Sequence, residues 1–158
     1  MLSQLFPQPI DNRYHGYKLA LWLFALVVFM RVVISLNSIF NGYSVATSAD
    51  GIPLDTFPSA AAQTIVSLLA LLGLAQLVIS LLCGLALLRY RSMVPLMFAL
   101  LLLQFLGGRL ILQFLPIVRI GTPPGFYVNL ALLALMVVGL ALSLRRRVAY
   151  PSPTGDES

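Results

Sequence analysis

The chain has 158 residues, 59% of them hydrophobic and only 9% charged, whereas a water-soluble domain carries about 25% charged residues. Water is excluded as the solvent around most of its surface, since large apolar patches are rare on soluble monomers. The net charge of +5 does not point to nucleic acid, because the basic residues sit mainly at the ends of apolar runs, where they orient a membrane protein.

Residues 1–16 are polar, with Pro7, Pro9, Asp11, Arg13 and His15, and read as a short cytoplasmic arm. A transmembrane domain follows over 17–147, with helices expected at about 18–38, 62–88, 93–115 and 125–145. The first run is longer than a signal-peptide core of about 7–15 residues, and no small-x-small cleavage site follows closely. It is therefore read as a retained helix. The connection over 39–61 holds Asn41-Gly42, Asp50-Gly51, Pro53 and Pro58, all turn and breaker signals.

The second run ends at Arg89-Tyr90-Arg91, a tight basic turn. The third is entered through Pro95, which the first turn of a helix tolerates, and is closed by Pro116. A short connection with Arg119, Gly121, Pro123 and Pro124 leads to the fourth run. The triple arginine Arg145, Arg146 and Arg147 is expected to meet lipid head groups, as are Arg89 and Arg91. Residues 148–158 read as a disordered cytoplasmic tail.

Each run reaches the roughly 20 residues that cross about 30 Å of hydrocarbon. Without water to satisfy the backbone, these segments must be helices, since the alternation of barrel strands is missing. The fold class is therefore all-α, an integral membrane four-helix antiparallel bundle. Arg13, Lys18, Arg89, Arg91 and the triple arginine fall on one side, and Arg119 alone on the other. By the positive-inside rule both termini are cytoplasmic. Tyr17, Trp22, Tyr90, Phe126 and Tyr127 lie near run ends, as interfacial aromatics do, and so do Tyr14 and Tyr150.

Small residues suggest where helices pack. Gly73, Gln76, Ser80 and Gly84 recur at three- and four-residue spacing on the second helix, Gly107-Gly108 stand together on the third, and Asn129, Ala134 and Gly139 are the small or polar members of the fourth. Such stripes allow close backbone approach.

Two arginines lie inside apolar runs, Arg31 and Arg109. A charge near the bilayer centre costs at least about 2.5–3.5 kcal/mol, so each is a functional candidate. Counting from the run midpoints places both roughly 5 Å to the outer side of the midplane, a similar depth at which they have room to converge. Ser35 and Gln113 share a helix face with Arg31 and Arg109 respectively, Asn129 falls in the outer quarter of the fourth helix, and Gln76 and Gln104 sit near mid-depth. No Asp or Glu occurs in any run, which excludes a carboxylate proton relay. Counter-charges are left to Asp50 and Asp55 of the outer connection, to lipid phosphates, or to an anionic ligand.

Other chemistries lack their residues. Bis-histidine haem needs two histidines, and only His15 exists; paired-thiol redox chemistry needs two cysteines, and only Cys83 exists. Cys83 is read as a small buried hydrophobe. No metal-ligand cluster and no Walker-type phosphate loop are present, so no cofactor is expected.

The arginine in the first helix, the long first connection and the segment Gly107-Gly108-Arg109-Leu110-Ile111 late in the third helix resemble the DoxX-like group of small four-helix bacterial membrane proteins. The stretch from Asn37 to Ala60 is longer than in that group. The resemblance implies a bacterial inner-membrane protein and carries over no catalytic residues.

The leading functional expectation is a non-enzymatic accessory or structural membrane subunit. The alternative is a binder or transporter of an anionic lipophilic solute or lipid, with Arg31, Arg109, Gln113, Ser35, Asn129 and Asp55 around an outward pocket. A lipid- or quinone-modifying enzyme is the third reading. Expected partners are membrane lipids and either another membrane protein or a second copy of the chain.

Overall fold

A computed structural model describes residues 17–144 except 118, 120 and 122. The N-terminal arm with Arg13, Tyr14 and His15, the Arg145–Arg147 run, Tyr150 and the tail lie outside the described residues. Those described are helical and connecting segments, with no strand among them. Four long helices form the frame: α1 (Lys18–Phe40), α2 (Ser59–Arg89), α3 (Val94–Phe114) and α4 (Pro124–Leu144).

Each long helix is built from a sequence with few breakers. α1 holds neither glycine nor proline in its 23 residues. α2 begins directly after Pro58 and runs for 31 residues, three residues ahead of the expected start. α3 carries Pro95 in its first turn and stops before Pro116, because proline disfavours helical geometry in the residue preceding it. At 1.5 Å per residue the shortest helices, of 21 residues, rise about 32 Å. All four are long and apolar enough to cross a membrane.

The connection after α1 is not an open loop. One helical turn, Gly42–Ser44, runs into a π-helical turn, Val45–Ala49, and a 3-10 turn follows at Leu54–Thr56. Gly42 is helical here; its lack of a side chain matters because a Cβ would lie 3.0 Å from the Val66 side chain on α2. Gly51 does adopt a left-handed conformation, with φ of 69°. Ala46, Ile52 and Leu54 are buried and pack against Ala62, Ile65, Val66 and Leu69 of α2. The connection thus has a small core of its own, which its breaker residues concealed.

The main core draws on all four helices. Phe24, Val27 and Val28 of α1 meet Cys83 of α2, Val94, Phe98 and Leu101 of α3, and Leu132 and Met136 of α4. Phe24 and Phe98 meet edge to face, with ring centroids 4.8 Å apart. α1 packs chiefly on α2 and α4, and α3 chiefly on α4. α2 and α3, though joined by a short turn, share much less backbone contact, which leaves a face open between them. Outward, the helices are lined by exposed Phe29, Leu71, Leu72, Leu103 and Val137. In water such a surface would be a large unsatisfied apolar area; in lipid it is the ordinary condition of a spanning helix.

Candidate functional site

Polar side chains collect at the middle of three helices. α1 is centred on Phe29, α2 on Leu74 and α3 on Gln104. Arg31 is 6% exposed, and its Nη1 donates to Gln104 Oε1 at 3.0 Å. Gln104 in turn donates from Nε2 to Gln76 Oε1 at 2.9 Å. A guanidinium and two amides therefore form one chain that joins α1, α3 and α2. Arg31 Nε is buried without a hydrogen-bond partner. Gln104 itself is exposed, so the chain runs from the core to the open α2–α3 face.

Ser35 and Ser80 reinforce the backbone around this chain. The Ser35 hydroxyl donates to the Arg31 carbonyl at 2.7 Å, and that of Ser80 to the Gln76 carbonyl at 2.8 Å. Ser35 shares the Arg31 face as expected, but it bonds to backbone and not to the guanidinium.

Arg109 stands apart. It lies five residues beyond Gln104, about 7.5 Å farther along α3, and is half-buried. Its guanidinium carbon is 5.4 Å from the ring centroids of both Phe105 and Phe126, a cation–π arrangement. With Leu112, Gln113, Pro116, Ile117 and Arg119 it lines an open groove of about 280 Å³. Similar depth does not bring Arg31 and Arg109 together. Arg31 turns inward near the midpoint of α1, Arg109 turns toward the start of α4, and the two share no partner among the described residues.

The other expected site residues divide between these places or fall outside both. Gln113 is exposed and joins Arg109 in the groove. Asn129 is half-buried on α4 and is joined to neither arginine. Asp55 is exposed and accepts a hydrogen bond from the Tyr43 hydroxyl at 2.7 Å. That bond, followed by the carboxylate's charge, raises the Tyr43 phenol above its ordinary range. Asp50 sits over the start of α4, where a Cβ on Gly125 would lie 2.6 Å from the Ala49 carbonyl oxygen and 3.7 Å from Asp50 Oδ1. Burial raises the Asp50 carboxyl, and the positive charge of Arg119 partly offsets this.

The glycines expected at helix contacts also separate. A Cβ on Gly73 would meet Ser38 Cβ at 2.9 Å and the Ser35 carbonyl oxygen at 3.1 Å, so α1 and α2 touch there. At Gly84, Gly107 and Gly108 a Cβ would meet nothing within 4 Å among the described residues, so none of the three marks a close approach of helices there. Gly139 on α4 makes the other close contact, where the Phe98 ring occupies the space of a side chain. Arg89 and Arg91 are exposed, and Arg91 Nε donates to the Leu87 carbonyl at 3.3 Å, covering one of the free carbonyls at the end of α2.

Gln104 and Arg119 are the residues whose partners the sequence hid. Gln104 was legible only as a mid-depth amide, and Arg119 only as a lone charge in a short connection.

No protein-family model matches the chain, and no curated protein or solved structure matches it significantly.

Proposed function

We propose that this chain is a non-enzymatic multi-pass membrane protein, an antiparallel four-helix bundle with both termini cytoplasmic, that serves as a small accessory subunit. Four helices of spanning length support the bundle, as do contacts that pair the end of α1 with the first half of α2, and the start of α3 with the end of α4. The seven-to-one distribution of basic residues supports the orientation. The DoxX-like resemblance agrees with a place in a bacterial inner membrane.

One observation carries the subunit reading. Gln104 is exposed at the midpoint of α3 while tied to Gln76 and to the buried Arg31. Amides facing hydrocarbon, linked to a guanidinium without a carboxylate, are costly in isolation. A transmembrane helix of a second protein, laid on the α2–α3 face, would cover the amides and supply the missing negative charge. A second copy of this chain offers no such charge, because its runs hold no Asp or Glu.

The test is a photo-crosslinking residue in place of Leu100, one turn from Gln104, in native membranes. The expected product is one discrete adduct with another membrane protein, whose crosslinked segment carries an Asp or Glu. It should weaken in Arg31→Leu. Adducts with lipid alone, or with the chain itself, would remove the subunit reading.

A further inference from the structure

The groove beyond Arg109 has features that the subunit reading does not use. Two arginines, Arg109 and Arg119, line it together with the Gln113 amide, and Leu112, Pro116 and Ile117 supply an apolar wall. Among the described residues Arg109 has no carboxylate at ion-pair distance; aromatic rings flank it instead. Rings hold a guanidinium in place by its face and leave the N–H edge free, and that edge is the part that binds phosphate oxygens in a fork. Arg119 feels the Asp50 charge, but Asp50 is not among the residues that line the groove.

Position adds to the chemistry. Arg109 is one turn and a residue short of Phe114, the last residue of α3, and Arg119 lies beyond the helix end. The groove therefore descends from the end of a spanning helix into its apolar portion, the depth range at which a phospholipid passes from phosphate to acyl chain. Phe114 and Leu115, 77% and 70% exposed, continue the apolar surface beside it.

We propose that this groove binds one anionic glycerophospholipid, with its phosphate between Arg109 and Arg119 and its acyl chains along Leu112 and Ile117. Gln113 donates from its amide to the glycerol or phosphate oxygens. The site does not depend on which protein covers the α2–α3 face, nor on whether any does.

The experiment is native mass spectrometry of the full chain purified in mild detergent and titrated with defined lipids. One phosphatidylglycerol is expected to be retained at least tenfold better than diacylglycerol, which lacks the phosphate. Arg109→Gln and Arg119→Gln should each reduce that retention severalfold, while Tyr90→Phe, at the opposite end of α3, leaves it unchanged. Arg109→Lys, which keeps the charge but not the fork, should fall between Arg109→Gln and the parent. Circular dichroism confirms that each variant is folded, and Arg119→Gln, outside the helices, reads the site even where an α3 variant is unstable. Inorganic phosphate at millimolar concentration is expected not to displace the lipid. Retention of diacylglycerol equal to that of phosphatidylglycerol, parent-level retention of phosphatidylglycerol by both Gln variants, or full displacement by inorganic phosphate would each overturn the proposal, the last by assigning the groove to a free anion. A crosslinked partner at Leu100 together with any of these results would leave the subunit reading standing and remove this one.

Discussion

The guanidinium of Arg31 on α1 donates to the amide oxygen of Gln104 on α3 at 3.0 Å, across 73 residues of sequence. Both sit within about two residues of their helix midpoints. The same amide passes a second bond to Gln76 of α2, so one side chain links three helices. Arg31, the one buried charge among the described residues, is thus held by neutral dipoles, and its Nε is left without a partner.

Removing the amide isolates that charge. Gln104→Leu strips Arg31 of its Nη1 acceptor, and a buried donor left unsatisfied costs about 1–3 kcal/mol, more when charged. The thermal midpoint in detergent should fall clearly below that of the parent. Gln104→Glu supplies a counter-charge at the same place and should be at least as stable as the parent. A Gln104→Leu protein as stable as the parent would show that the bond does nothing for the fold.

The glycine contacts make a second prediction with an internal control. In Gly139→Ala the new methyl meets the Phe98 ring, and in Gly73→Ala it meets Ser38 and the Ser35 carbonyl. Overpacking of this kind costs about 1–3 kcal/mol. Gly107→Ala and Gly108→Ala meet nothing within 4 Å among the described residues, and alanine is favoured over glycine in a helix by about 1 kcal/mol. Denaturation in mixed micelles should therefore rank the Gly107 and Gly108 variants at or above the parent and the other two below it.

The connection should respond to pH through Asp50. Its folded carboxyl is raised above the 3.8 of a free side chain, with burial the larger cause. The native state then holds more proton than the unfolded state just above that value, so stability falls as pH rises through this window. Docking of the 45–57 segment should be tightest near the lower edge and loosen toward neutrality. Hydrogen exchange of that segment, corrected for the intrinsic rate at each pH, measures this, and Asp50→Asn should abolish the dependence. A segment that tightens as pH rises would show that the Arg119 charge outweighs burial.

Much of this architecture was legible in the residues, because helix length and hydrophobic runs are local properties. Pro58, Pro95 and Pro116 bracket α2 and α3 directly. What escaped was set by three-dimensional proximity. The 39–61 segment reads as breakers, yet Ala46, Ile52 and Leu54 bury themselves on α2, a pattern too short for any periodicity to reveal. Depth along a helix placed Arg31 and Arg109 near one level, but depth carries no information on which way a side chain turns. Gln104 looked like one amide among several until its partners on two other helices were known. The sequence marked Gly73, which meets α1, and Gly107-Gly108, which meet open space, in the same way, because only the partner helix decides whether a small residue meets a backbone or nothing.

The proposed orientation can be read with the protein's own cysteine as the control. Cys83 is 1% exposed in the core, so the parent chain should resist a membrane-impermeant maleimide. Ser48→Cys places a thiol on the exposed surface of the connection between α1 and α2, and Tyr90→Cys places one at the turn between α2 and α3, with Arg89 and Arg91 both retained. If the seven basic residues face the cytoplasm, intact cells label Ser48→Cys and spare Tyr90→Cys until the membrane is opened. The opposite pattern would invert the topology. The Arg109–Arg119 groove would then face the cytoplasmic leaflet, and the lipid it meets would come from there.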